Sequence, residues 1–321
     1  MATTLVSCLT FSAPRRGLVI WLQWTYPRNV FRKISYGSLA LHKAPILETL
    51  HFKLGETCRD EDIPVWIRAA DKCSIRELII EIDTSFRPSP IILPKSLYTE
   101  CRMLVTLKLN SVILVDCSSN FSFPSLKSLV IVLVTYPGDE FVKRLLSHCH
   151  VLEDLYVVHG PDENVTTFTV RMPSLKKLVM STPKDVDEAI DDDHGFVIDD
   201  PSLEHLDILD HQGRFCVIEN NMPKMEKADI DIACFLTGKI LGSITSVKRL
   251  GLCLFSSKLF FVYGQGCCVS SSDAYPPSCV FFSRVRLIIW TCDTEWVNLL
   301  LFLMRASPNL QALELDQVHR S

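Results

Sequence analysis

His148-Cys149-His150 sets two imidazoles and a thiol side by side, the residue types that hold zinc. A closed zinc site takes four ligands, as a rule in two pairs at set spacing. No second pair stands near this one, so the three residues read as the flank of a structural strand. A second candidate is the acidic run Asp185, Asp187, Glu188, Asp191, Asp192, Asp193, Asp199 and Asp200. A calcium loop needs ligands at alternating positions, a central glycine and a closing glutamate. The order Asp191-Asp-Asp-His-Gly195 fails that pattern and reads as a solvated loop. Gly264-Gln-Gly266 lacks the third glycine of a dinucleotide loop, and no Gly-x-Ser-x-Gly elbow occurs. The segment Gly264 to Pro277 reads as a flexible insertion. These readings name no catalytic residue, no metal site and no cofactor, and the expectation is a protein that is not an enzyme.

Composition narrows the class further. The 321 residues are 48% hydrophobic and 22% charged, which is the balance of a folded chain. A net charge of -4 argues against a nucleic-acid partner, which would select a basic stripe. No apolar run reaches the ~18–20 residues of a membrane span, so no membrane partner is expected. The 13 cysteines contain no Cys-x-x-Cys and sit mostly in apolar runs, as small buried hydrophobes do. That usage suits a reducing compartment, cytoplasm or nucleus. The first acidic residue is Glu48, so residues 1–35 are basic, hydroxyl-rich and acid-free. They are expected to be an atypical, poorly ordered segment. Organelle targeting is the weaker reading of the same composition.

The element that positions everything else is a repeat. An apolar residue, two others, an apolar residue, one other and a third apolar residue recur along residues 36–321. The copies begin at Leu47, Ile75, Leu104, Leu126, Leu152, Leu175, Leu203, Met225, Val247, Phe282 and Leu310. Successive copies start 22–29 residues apart, apart from one step of 35. That period belongs to leucine-rich repeats. Pro-Ser-Leu precedes the strand at Pro124, Pro173 and Pro201, where the missing proline N–H breaks no ladder bond. The expected fold is α/β: a leucine-rich-repeat solenoid, a curved horseshoe with irregular repeats. Each triplet makes a short parallel strand whose apolar face is buried only by its neighbours. Helices are expected at Asp60–Ala70, Asp139–Cys149 and Thr294–Arg305. The asparagine usual after the strand is replaced by residues such as Gly55, Val112, Val134 and Gly160.

Side chains alternate across a strand, so the two residues flanking each middle apolar position face away from the core. They form the expected concave protein-binding face: Thr106, Lys108, Asp154, Tyr156, Lys177, His205 and Asp207, continued by Lys227, Asp229 and Arg249 beside Gly251. The mixture of bases, acids and one aromatic suits a protein partner better than a polyanion. Tyr156 is the natural anchor, because aromatic side chains dominate interface hot spots.

Several stretches carry a family resemblance. Leu39-Ala-Leu-His-Lys-Ala-Pro45-Ile-Leu-Glu-Thr-Leu50 and Ile63-Pro-Val-Trp66-Ile-Arg-Ala-Ala70 resemble the repeat region of plant F-box/FBD/LRR-repeat proteins. Gly195-Phe-Val-Ile198-Asp-Asp-Pro201-Ser-Leu203 and Phe215-Cys-Val-Ile218-Glu-Asn220 extend the likeness over about residues 36 to 315. The resemblance implies the substrate-recognition region of an F-box (SCF-type) ubiquitin ligase subunit, binding an unknown target protein. Residues 1–35 show no Leu-Pro-Asp-Glu-Leu-Leu helix of the F-box type, and Ser321 follows the last triplet closely. The expectation is therefore that Skp adaptor and cullin are partners only if an F-box is supplied elsewhere. The alternative is a stand-alone scaffold or truncated competitor with no ligase role. Neither end reads as a polar cap, which predicts poor solubility for the isolated chain.

Overall fold

The computed structural model describes residues 19–23, 48–54, 74–82, 91–116, 121–160, 164–182, 194–210, 215–232, 246–254, 284–289 and 307–317, with a few positions at 63–64, 67–68, 240, 243–244, 300 and 304–305. The chain divides into two compact units, Met1–Leu152 with Gly160–Asn164, and Glu153–His159 with Val165–Ser321.

In the first unit the triplets become strands because their apolar residues are large, branched and two apart. In order come β1 (Val19–Gln23), β2 (Thr49–Leu54), β3 (Glu77–Ile82), β4 (Ile91–Ile92), helix α1 (Ser96–Thr99), β5 (Thr106–Asn110), β6 (Val112–Ile113), β7 (Ser128–Val132) and helix α2 (Asp139–Ser147). Strands β1, β2, β3, β5 and β7 pair in parallel, each with the next. The register stacks like on like: Leu50, Leu78, Leu107 and Leu129 lie side by side, and all are buried. Strands β4 and β6 pair separately as a short second layer.

Helix α2 forms where expected. Phe141, Val142, Leu145 and Leu146 recur at helical spacing and are buried, while Asp139 and Glu140 favour its N-terminus. Gly138 precedes it at φ +147°, a conformation only glycine takes without strain. Tyr98, Phe121 and Phe141 meet edge to face, with centroids 5.4–5.9 Å apart.

The second unit repeats the scheme. Strands β8 (Asp154–Val158), β10 (Lys177–Ser181), β12 (His205–Asp210), β14 (Lys227–Ile232), β15 (Arg249–Leu254), β16 (Arg284–Ile289) and β17 (Ala312–Gln317) pair in parallel in that order. Between them run β9 (Thr167–Val170), β11 (Gly195–Ile198) and β13 (Phe215–Ile218), which form their own parallel three-stranded sheet. The outer layer here is thus a second sheet, where the triplet pattern alone had left irregular connections. Gly195 permits the closest approach in it: a Cβ there would lie 2.2 Å from the Phe215 carbonyl oxygen.

Both units use one backbone device between coils. The residue just before β2, β3, β5, β8, β10, β12 and β14 offers its carbonyl to two successive N–H groups of the next coil. Glu153 O accepts from Lys176 and Lys177, Lys176 O from Glu204 and His205, and Glu226 O from Lys248 and Arg249. Glu48, Arg76 and Val105 do the same in the first unit. This tie runs through the main chain, so the coils stay in register without the buried asparagine row. The hydroxyl of Ser202 in the Pro-Ser-Leu motif lies 2.9 Å from the Leu175 carbonyl and 2.6 Å from Asp200 Oδ1, which share its one proton.

The described triplet residues are buried throughout, except in the last triplet, where Leu310 is half-buried, Leu313 37% and Leu315 47% exposed. Apart from β1, residues 1–35 lie outside the described residues, as do the insertion Gly264–Pro277, the acidic run 185–193 and most of the helices expected at 60–70 and 294–305.

Candidate protein-binding face

The residues expected on the exposed face fall into two rows on each unit. In the first unit Thr106 and Lys108 stand on β5. Thr106 is level with Glu77 and Ser128, and Lys108 with Ile79 and Val130. The Lys108 ammonium donates to Glu77 Oε1 at 2.9 Å, and the Thr49 hydroxyl donates to the same carboxylate at 3.1 Å. His51 is nearly covered, with Nε2 3.3 Å from a Glu81 oxygen. This part of the face is therefore internally neutralised.

The second unit brings together the other five predicted residues. Asp154, Lys177 and His205 are consecutive in the first row, which runs on through Lys227, Arg249 and Arg284. Tyr156, Val179 and Asp207 are consecutive in the second row, which runs on through Asp229, Gly251, Arg286 and Glu314. A row that opens on Asp154 and is basic from Lys177 onward thus lies beside a row that changes from apolar to acidic to mixed. Tyr156 is 39% exposed, as the alternation between buried Leu155 and Val157 requires. Its neighbour Val179 makes the spot apolar.

Charge is finely balanced from β12 onward. Lys227 pairs with Asp229 on its own strand. Asp207 is held above the usual carboxylate range, first by desolvation and then by Asp229, with Lys227 and Lys177 opposing. Arg286 Nε lies 3.6 Å from Glu314. Ion pairs Lys176–Glu153 at 2.9 Å and Lys248–Glu226 at 3.0 Å line the rim. A groove of about 610 Å³ opens here, with Asp207, Lys227, Asp229, Arg249, Gly251, Arg286 and Glu314 in its lining. The seven-residue expectation stopped at His205 and Asp207. Arg284 and Arg286 could have been found by the same rule, since they flank Val285 in the triplet that begins at Phe282.

The residues weighed as a metal site serve the end of α2. His148 Nδ1 lies 2.8 Å from the Arg144 carbonyl, and the Cys149 thiol donates to the Leu145 carbonyl at 3.3 Å. Burial pushes that thiol up to about 12, so it stays protonated. Among the described residues no three His, Cys, Asp or Glu side chains cluster as metal ligands. No helix among them is long and apolar enough to cross a membrane.

Parallel strands in register, triplet cores and a polar exposed sheet face define a leucine-rich-repeat solenoid. Residues 63–228 match the family model described as FBD-associated F-box protein At5g56370, LRR repeats. Among Arabidopsis thaliana proteins, the putative FBD-associated F-box protein At5g50270 is 54% identical over 97% of this chain and 76% of its own length. The probable FBD-associated F-box protein At1g32375 is 52% identical over 90% of the chain and 67% of its length. The F-box/FBD/LRR-repeat protein At5g56420 is 41% identical over 92% of the chain and 65% of its length. The chain belongs to this plant family of FBD-associated F-box/LRR-repeat proteins.

Proposed function

We propose that the exposed sheet face of the second unit docks a target protein for an F-box-type ubiquitin ligase, with Tyr156 as its anchor. The observation that carries this reading is exposed Tyr156, level with half-buried Val179, beside a row of charged side chains on the sheet. A large aromatic presented in this way supplies contact area at small entropy cost, and the charges around it select orientation. Membership in a family whose relatives are named F-box proteins supports the ligase context. The role proposed is binding without catalysis: the chain would present the target, and the transfer chemistry would belong to other subunits.

The test uses the full chain as bait, with interacting proteins identified by cross-linking at the face. A captured protein should be ubiquitylated when this chain, with an F-box joined to it, is combined with a Skp adaptor, a cullin with its RING subunit, and the ubiquitin-activating and -conjugating enzymes. Tyr156→Ala should weaken capture by ~10-fold or more, the size of an interface hot spot. Capture that is unchanged in Tyr156→Ala and in Lys177→Ala would overturn the face assignment. Capture without ubiquitylation would favour the stand-alone scaffold.

A further inference from the structure

The strand ladder ends in two edges that match each other. β17 stands at one end and β1 at the other, and among the described residues neither has a strand on its outer side. The apolar positions show what β17 lacks. In the other described triplets the middle and last apolar residues are buried, because level neighbours cover them from both sides. Leu313 is level with Val285 alone and Leu315 with Leu287 alone, and both stand exposed. A terminal repeat that leaves its core uncovered needs a cap. We propose that a second copy of the chain is that cap, with its β1 pairing in parallel against β17.

Three features single out β1 as the occupant. The first is parity. Ile20 and Leu22 are level with Leu50 and Phe52, so β1 holds apolar residues at the core positions of the ladder. With Ile20 level with Leu313, Trp21 falls level with Glu314 and Leu22 with Leu315. The second is direction. The pairings β1–β2 and β16–β17 at the two ends are both parallel, so a parallel join repeats the contact that each coil makes with the next. The third is charge. A two-fold pairing of two β17 strands that covers both leucines sets Leu313 against Leu315, and it therefore sets Glu314 against Glu314. Like charges directly opposite oppose such a pairing. The segment Val19-Ile-Trp-Leu-Gln23 carries no charge, so it meets Glu314 and Asp316 without repulsion. A contact between unlike edges leaves each new end open, so association runs head to tail and grows with concentration. Each added copy brings another docking face, which raises avidity for a target with more than one site.

Photocross-linking on the full chain tests this. Glu314 is exposed, so p-benzoylphenylalanine in its place leaves the core untouched. Protein carrying it is mixed with heavy-isotope-labelled parent and irradiated, and the cross-linked peptides are read by mass spectrometry. The expected product is of mixed isotope and joins position 314 of one copy to residues 19–23 of the other. Light scattering of the parent over a dilution series should show a mass that rises with concentration from monomer to dimer and beyond. Leu313→Lys combined with Leu315→Lys should cut the mixed-isotope product ~10-fold or more and hold the chain at monomer mass, because a charged edge refuses an apolar partner. Both positions are exposed, so the far-ultraviolet circular dichroism of that variant should match the parent. Tyr156→Ala, on β8 inside the ladder, should change neither readout. Monomer mass at every concentration, cross-links from position 314 only within one copy, or mixed-isotope cross-links that land outside β1 each overturn the proposal. None of these outcomes bears on the docking of a target at Tyr156.

Discussion

Asp200 gives the fold a pH dependence whose size can be worked out. Its carboxyl is 1% exposed in the turn before β12. The Ser202 hydroxyl and amide both donate to Oδ1, at 2.6 and 3.1 Å. Oδ2 is buried with no hydrogen-bond partner of normal geometry among the described residues. Desolvation is the largest influence and outweighs the Ser202 bonds, raising the group from 3.8 to about 6. A carboxyl raised on folding binds more protons in the native state than in the unfolded one. Its contribution is therefore fully present below pH 3.8 and is lost as the pH rises through about 6. At about 1.4 kcal/mol per pH unit, the whole span amounts to about 3 kcal/mol. Roughly 1.4 kcal/mol of it should be lost between about pH 5 and 7.5. Asp200→Asn keeps the oxygen that accepts from Ser202 and cannot titrate. Urea unfolding of both proteins at the two pH values cancels the groups they share. The parent should lose about 1.4 kcal/mol more than the variant on going to the higher pH. Equal pH slopes in the two proteins would show that Asp200 ionises near its ordinary value, and the burial argument would fail.

Two further substitutions test the register and the outer layer. Leu129→Asp places a carboxylate between coils, level with buried Leu107, and should cost several kcal/mol and loosen neighbouring coils together. An unchanged melting temperature would refute the strand register. Gly195→Ala must force β13 away from β11, because the clash at 2.2 Å is with backbone and no side chain can swing aside. Hydrogen exchange should quicken at Phe215, whose amide bonds the His194 carbonyl, while β12 and β14 stay protected. Unchanged exchange at Phe215 would show that the outer sheet tolerates the added carbon.

Three apolar residues in a fixed pattern, repeated at a near-constant period, determined by themselves that the chain forms stacked parallel strands. A lone triplet cannot bury its own face, so only a stack satisfies all of them. The alternation of side chains then fixed which residues face out, and Lys177, His205 and Asp207 stand where that rule puts them. The helix at α2 was legible for a similar reason, because its buried residues recur every three or four positions.

Other features depended on contacts between distant residues. The strands β9, β11 and β13 are only four residues long, and runs such as Thr167-Phe-Thr-Val170 acquire a role only when coils bring them level. The missing asparagine row suggested irregular coils, but its work is done by main-chain groups, which every residue carries and no pattern reveals. The same holds for the face. The rule of alternation marks Arg249, Gly251, Arg284 and Arg286 as outward one at a time, with 35 residues between the positions that pair. Only the pairing of β15 with β16 makes them adjacent, because strand separation is ~4.8 Å whatever length of chain lies between.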